Sequence, residues 1–399
     1  MLITVFFIRL VMKYLLKNPM VILLYILVFA AGSHAQVHEH MYLQNAGENA
    51  QYWFDLGNDS FHTGKYQEAI EAYKQAAKIQ PDFLNAYYNL GRTYCKTGML
   101  KEATEAFKKV IWIQPDHWEA YLHLGFAYDE LGIYQEAIEA YIQTIRIKPD
   151  CADAHYRLGH SYRKSGKYPD AIEAYKQAVR LNPDYADAHA SLGITYRAIG
   201  MYQEAIEAYK QAIRLQPDHQ EAILHLGFVY DELGIYQEAI KAYKQEIKTQ
   251  PDYANAYYNL GVTYFELSRY QEAIEAYRQA INIQPDYANA YYNLGVSYAA
   301  LNKYREAIEA YRQAIKFNPD FADAHANLGF AYFELSRYQE AKRAYQQAIQ
   351  LQPGLANAHY GLGIVYIIFK DTGSALDTYK MLKDINSEMA NKLFNLIYK

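Results

Sequence analysis

The chain is poor in the motifs that carry chemistry. It has two cysteines in 399 residues, Cys95 and Cys151. With so few thiols at unrelated places a disulfide framework is not expected, and the two cysteines make no zinc motif. There is no nucleophile elbow and no phosphate loop. A basic excess is also lacking, since 39 Lys and Arg stand against 44 Asp and Glu for a net −5. Nothing in that balance draws the chain to nucleic acid. Tryptophan is rare at 3 and phenylalanine modest at 16, yet tyrosine reaches 43. Something uses tyrosine repeatedly.

Acidic residues are missing from the start of the chain, where the first is Glu39. Residues 1–35 carry Arg9, Lys13 and Lys17, and Met20 to Ala31 run without a polar interruption. Ser33-His34-Ala35 then places small residues before a cleavage point. This is the layout of a signal peptide, so residues 1–35 predict export and cleavage after Ala35. The alternative is a membrane anchor at residues 20–31, but that stretch is shorter than the roughly 20 residues a spanning helix needs. Residues 36–49 show no periodicity and read as a flexible lead-in. His38 and His40 flank Glu39 there, but with no third ligand they make a poor metal site.

The remainder is strongly periodic. Prolines recur at 81, 115, 149, 183, 217, 251, 285, 319 and 353, always 34 residues apart. With these prolines at repeat position 32, ten repeats begin at 50, 84, 118, 152, 186, 220, 254, 288, 322 and 356 and end at 389. Position 7 is Leu and position 8 Gly in all ten, from Leu56-Gly57 to Leu362-Gly363. Position 20 is always Ala, position 11 is Tyr except at Ser60, and position 24 is Tyr except at Phe107. Positions 4, 7, 8 and 11 share one helix face, as do 20, 24, 27 and 28. Each repeat therefore predicts two amphipathic helices, A and B.

The joints are legible too. Gly at position 15, from Gly64 to Gly234, then Ser268, Asn302 and Ser336, predicts the end of helix A. The Pro-Asp pair ends helix B, and its Asp is expected to cap the next helix A, as with Asp116 and Glu119 in a capping-box spacing. A glycine inside a helix costs about 1 kcal/mol relative to Ala, so position 8 needs a packing reason. The alanine at position 20 is the expected partner. Thr144 and Glu246 replace the usual small residue at position 27 and leave packing there open. Residues 390–399 read as a terminal capping helix. Near-copies at 122–141 and 224–243, and at 251–278 and 285–312, point to duplication within the chain.

This pattern resembles the tetratricopeptide repeat family. The matching residues are the aromatic at position 4 (Trp53, Tyr87, Tyr121), then Leu-Gly, Tyr, Ala, Tyr and Pro at positions 7–8, 11, 20, 24 and 32, over residues 50–389. The resemblance implies an all-α fold, an α-solenoid forming a right-handed superhelix. It also implies that A helices line a groove for a peptide or partner protein.

Positions 2, 5, 6, 9, 12 and 13 would then face that groove. Asn89, Asn259, Asn293 and Asn327 occupy position 6, where an amide can pair with any peptide backbone. They are similar to the asparagine ladder of O-linked N-acetylglucosamine transferases. Asn255 and Asn289, with Asn357, stand at position 2. Aromatic and apolar groups join them at Tyr258, Phe265, Tyr292, Phe330, Phe333, Tyr360, Ile364 and Ile367. Earlier repeats carry Arg92, Lys96, Arg157, Arg163, Lys164 and Arg197 instead. These are candidates for an acidic-peptide patch, or for ion pairs with Asp129, Glu130, Asp231 and Glu232 on neighbouring A helices. Chaperone-tail binders of the family use a Lys/Asn clamp, which is absent because position 5 holds Phe54, Tyr88 and Leu122 in the first three repeats.

Leader, repeats and cap leave no room for a catalytic domain. His123 and His225 stand three repeats apart and cannot share a metal. No cofactor is expected. The reading is a non-catalytic, exported scaffold for a protein or peptide partner. The alternatives are an accessory subunit of an envelope or glycosyltransferase assembly, and a self-assembling structural protein using Ile364, Ile367 and Ile368.

Overall fold

The computed structural model describes residues 49–398. The expected leader, the anchor alternative and nearly all of the lead-in lie outside the described residues. Among the described residues there are 21 α-helices and no strand, so the fold is an all-α solenoid. No helix there is long and apolar enough to cross a membrane.

The chain divides into two compact units at Pro183–Asp184. The first contains α1 (Ala50–His62), α2 (Tyr66–Ile79), α3 (Leu84–Lys96), α4 (Leu100–Ile113), α5 (Trp118–Glu130), α6 (Tyr134–Ile147), α7 (Ala152–Lys164) and α8 (Tyr168–Leu181). The second contains α9 (Ala186–Ala198), α10 (Tyr202–Leu215), α11 (Gln220–Glu232), α12 (Tyr236–Thr249), α13 (Ala254–Glu266), α14 (Tyr270–Ile283), α15 (Ala288–Ala300), α16 (Tyr304–Phe317), α17 (Ala322–Glu334), α18 (Tyr338–Leu351), α19 (Ala356–Ile368), α20 (Thr372–Ile385) and α21 (Ser387–Ile397). Odd-numbered helices up to α19 are the A helices, and even-numbered ones the B helices. Within each unit a helix packs on its immediate neighbours in the chain, as expected where every repeat must bury its faces on the next.

The position-8 glycines of the first nine repeats lie against the position-24 ring. A Cβ on Gly125 would lie 2.6 Å from the Tyr141 ring, and one on Gly261 would lie 2.6 Å from Tyr277. Glycine thus admits the position-24 ring, while the position-20 alanine is buried beside it. Those rings are the largest fully buried side chains, running from Tyr73 to Tyr311 with Phe107 among them. Close packing of this kind leaves no slack for a methyl group.

Helix A ends as expected, on a left-handed residue. Gly132 has φ +73°, and the same turn is made by Ser268 at +56° without the freedom of glycine. The N-terminal caps differ from expectation. Position 34, not the Asp at 33, precedes helix A, because the turn closes with a bond from its N–H to position 31, such as Tyr253 to Gln250 at 3.2 Å. Asp116 makes no cap. Instead His117 Nδ1 accepts from the Ala120 N–H at 3.2 Å, and His219 does the same for Ala222 at 3.3 Å. Helices α6 and α12 are regular despite Thr144 and Glu246.

The ends are treated unequally. Leu56 of the first repeat is 39% exposed, whereas its counterpart Leu90 is 6% exposed. At the other end α21 begins at Ser387, earlier than the 390–399 expected, with Asn386 capping Met389 at 3.0 Å. Its Leu393 fills the space beside Gly363. Tyr360, Ile364 and Ile367 pack against this helix. The apolar end expected for self-assembly is therefore largely covered, leaving Ile368 exposed.

Candidate functional site

Polar side chains stand beside a cavity on two stretches of A-helix face, one in each unit. In the second unit, asparagines at position 6 meet position 5 of the preceding repeat. Asn293 donates from Nδ2 to the Tyr258 hydroxyl at 3.0 Å, and Asn327 donates to the Tyr292 hydroxyl at 3.0 Å. Asn259 makes no such bond, because the residue at that place is Leu224. In the first unit Asn89 Nδ2 donates to Asn58 Oδ1 at 2.9 Å, and the Tyr73 hydroxyl donates to the same oxygen at 2.9 Å. Part of the ladder is thus committed to bonds between repeats. Each amide keeps further hydrogen-bonding capacity, since it carries two N–H groups and two oxygen lone pairs.

At position 2, Asn255 Oδ1 accepts from the Tyr287 hydroxyl at 2.7 Å. Asn289 lacks the equivalent bond because Phe321 stands where Tyr287 would be. The tyrosines of the face are half-buried, and burial raises the pKa of both Tyr258 and Tyr292. They therefore stay protonated at neutral pH. Phe265 packs on Tyr270 and Phe333 on Tyr338, with centroids 5.2 and 5.6 Å apart. Phe330 is the exposed member, at 44%.

The ladder breaks between α17 and α19. By the same register Ala326 should face Gly361, and both partners are small. The result is a cavity of about 260 Å³. Its walls are Phe330, Phe333, Tyr345, Tyr360 and Ile364, with the amides of Asn327 and Asn357 beside them. Gly361 is required there, since a Cβ would lie 2.4 Å from the Tyr345 ring.

The basic residues separate into two groups. Arg157 Nε donates to Asp153 at 2.9 Å, and Arg197 holds Glu232 through bonds of 2.6 to 3.3 Å. The second pair is the expected one between A helices. Its companion acids go elsewhere. Asp129 lies 2.9 Å from His160 Nδ1 and accepts from Ser161 at 2.8 Å, while Asp231 accepts from Tyr243 at 2.7 Å and from Thr263 at 2.9 Å. Arg163 buries an Nε that has no partner among the described residues, and Lys164 is exposed.

Arg92 and Lys96 have no carboxylate within 4.0 Å among the described residues. Arg92 lies over the Phe61 and Tyr88 rings at 5.7 and 5.8 Å. Both cations border a cavity of about 390 Å³ that Phe61, Cys95, His123 and Phe126 complete. Burial, then Arg92 and Arg157, push the His123 pKa down to about 4, so it is neutral at physiological pH. Burial likewise pushes the Cys95 thiol up to about 11, which leaves it unreactive. Asn58, Phe61, Phe126 and Ala326 escaped the sequence reading. Reading position 5 against position 6 of the next repeat would have exposed the Ala326–Gly361 gap.

Among the described residues no cluster of His, Cys, Asp and Glu could hold a metal. Models of the tetratricopeptide repeat match residues 156–220, and also 84–117 and 322–355. A further TPR repeat model matches 57–98, 127–164, 232–268, 262–302 and 297–336. No curated protein matches the chain. Among solved structures, the MamA protein is 32% identical over 43% of this chain and 94% of its own, with a TM-score of 0.41. YrrB, described as a TPR protein with an unusual peptide-binding site, is 25% identical over 47% and 96%, at 0.42. A tetratricopeptide repeat protein from Parabacteroides merdae is 18% identical over 62% and 99%, at 0.46.

Proposed function

Because the chain belongs to the tetratricopeptide repeat family of protein-interaction scaffolds, we propose that it is a non-catalytic scaffold that holds an extended segment of a partner protein along its A helices. The observation that carries this reading is the face of α13, α15, α17 and α19. Asn259, Asn293 and Asn327 recur there at one register, and the row ends in the cavity at Ala326 and Gly361. An amide serves a peptide backbone as donor and acceptor at once. An apolar hollow beside it takes a side chain.

The test is partner capture by the full chain, quantified by mass spectrometry. Alanine at Asn259, Asn293 and Asn327 together is expected to cut capture at least tenfold while circular dichroism stays unchanged. Undiminished capture by the folded triple variant removes the reading. Export is part of the same proposal and rests on the charged, apolar and small-residue order of residues 1–35. N-terminal sequencing of the secreted chain is expected to begin at Gln36, and an intact Met1 on a membrane-bound chain would reverse that part.

A further inference from the structure

The first unit offers a site of different chemistry. Arg92 and Lys96 lie one turn apart on α3, so their side chains share a face. The chain as a whole is acidic, and two arginines on other A helices are neutralised, Arg157 by Asp153 and Arg197 by Glu232. Arg92 and Lys96 have no such carboxylate partner among the described residues. They stand at the edge of a cavity of about 390 Å³ whose other walls are Phe61, Phe126, Cys95 and the neutral His123. The rings of Phe61 and Tyr88 lie within 6 Å of Arg92 and restrict its guanidinium.

From this geometry we propose that the cavity between α1, α3 and α5 binds an acidic peptide segment. A carboxylate of the segment pairs with Arg92 and Lys96, and an adjacent apolar side chain enters between Phe61 and Phe126. Charge complementarity selects the carboxylate, and the planar fork of Arg92 suits its two oxygens. The volume suits one or two side chains and excludes a folded surface. A nucleotide is disfavoured by the same site. Its phosphates would find neither a glycine-rich loop nor a helix N-terminus, since Arg92 and Lys96 sit in the last two turns of α3. A nucleic-acid strand needs a track of cations, and of the arginines further along Arg157 and Arg197 are already paired.

This inference rests on the proposed peptide-holding role and names the partner chemistry for one part of it. The test is selection of a phage-displayed random dodecapeptide library on the full chain, repeated on the Arg92→Ala/Lys96→Ala variant. Peptides enriched in Asp or Glu next to Phe, Leu or Ile are expected, and the variant is expected to lose that class while retaining others. A selected peptide, labelled with fluorescein, is expected to bind the variant at least tenfold more weakly and to bind the parent several-fold more weakly at 300 mM than at 50 mM salt. Enrichment without acidic residues, or acidic peptides that the variant binds equally well, overturns the inference and leaves the scaffold reading in place. Failure to enrich any peptide overturns both. Tighter binding of ATP or a labelled oligonucleotide at the same residues would show that the occupant is not a peptide.

Discussion

The two units are built on one frame and differ in what their A helices leave unspent. In the first, polar groups beside the cavity are charged, with Arg92 and Lys96 at its edge. In the second they are neutral, with Asn327 and Asn357 beside an apolar hollow. The buried rings do not distinguish the units. Tyr141 and Tyr277 lie equally deep, and each presses on a position-8 glycine. The chemistry of the A-helix face therefore varies independently of the frame. Packing fixes the residue type at positions 8, 20 and 24, whereas position 5 varies even where its ring packs on position 24 of its own repeat, as Tyr258 does on Tyr277.

The strongest way to break this comparison is to disturb the frame itself. Gly159→Ala in the first unit and Gly261→Ala in the second would each place a methyl within 2.8 Å of a buried ring. Overpacking costs about 1–3 kcal/mol, more than the helix propensity recovered. Both variants are expected to lower the melting temperature by similar amounts. A neutral result in one unit alone would show that the frames are not equivalent.

A second effect sharpens the contrast at position 27. The Thr144 hydroxyl donates to the Ala140 carbonyl at 3.1 Å and is satisfied. Glu246, three repeats later, is 1% exposed, and its Oε2 has no partner. Burial raises its pKa above the ordinary 4.5. The folded state therefore holds this proton more tightly than the unfolded state does. Below about pH 4.5 the carboxyl is neutral in both and carries no charge penalty. As pH rises past that value the penalty grows, until the folded carboxyl also ionises. Glu246→Ala is expected to stabilise the chain at pH 7 by about 1–3 kcal/mol, the cost of an unsatisfied buried polar group, with the gain shrinking toward pH 4. Thr144→Ala is expected to change stability by about 1 kcal/mol or less at either pH. Denaturant titration at pH 4 and pH 7 measures both, and a pH-independent gain for Glu246→Ala would mean that its charge is not the cause.

Much of this is legible in the sequence. The prolines at 34-residue intervals, the Leu-Gly pair and the paired helix faces define twenty helices, and Gly132 or Ser268 marks where helix A turns. The position-8 glycine is legible as a packing device, but the ring that it admits is not. Helical period says which face a residue occupies, whereas the Tyr141 ring, sixteen residues on, decides what occupies that space. The Asp at position 33 misled for a related reason. Composition favours it as a cap, but the turn consumes one residue more and hands the position to His117.

The candidate sites were less legible. Asn259 and Asn293 are alike in sequence, yet only Asn293 meets a tyrosine hydroxyl, since Leu224 stands before the one and Tyr258 before the other. Arg92 and Arg197 are both arginines of A helices, yet only Arg197 finds an acid. The sequence by itself determined the solenoid, because a strict repeat of apolar and small residues can bury its faces only by stacking. Tertiary structure alone decided which amides and cations remain available and where a cavity opens. Those outcomes depend on side chains about one repeat apart, brought into contact only when the repeats stack.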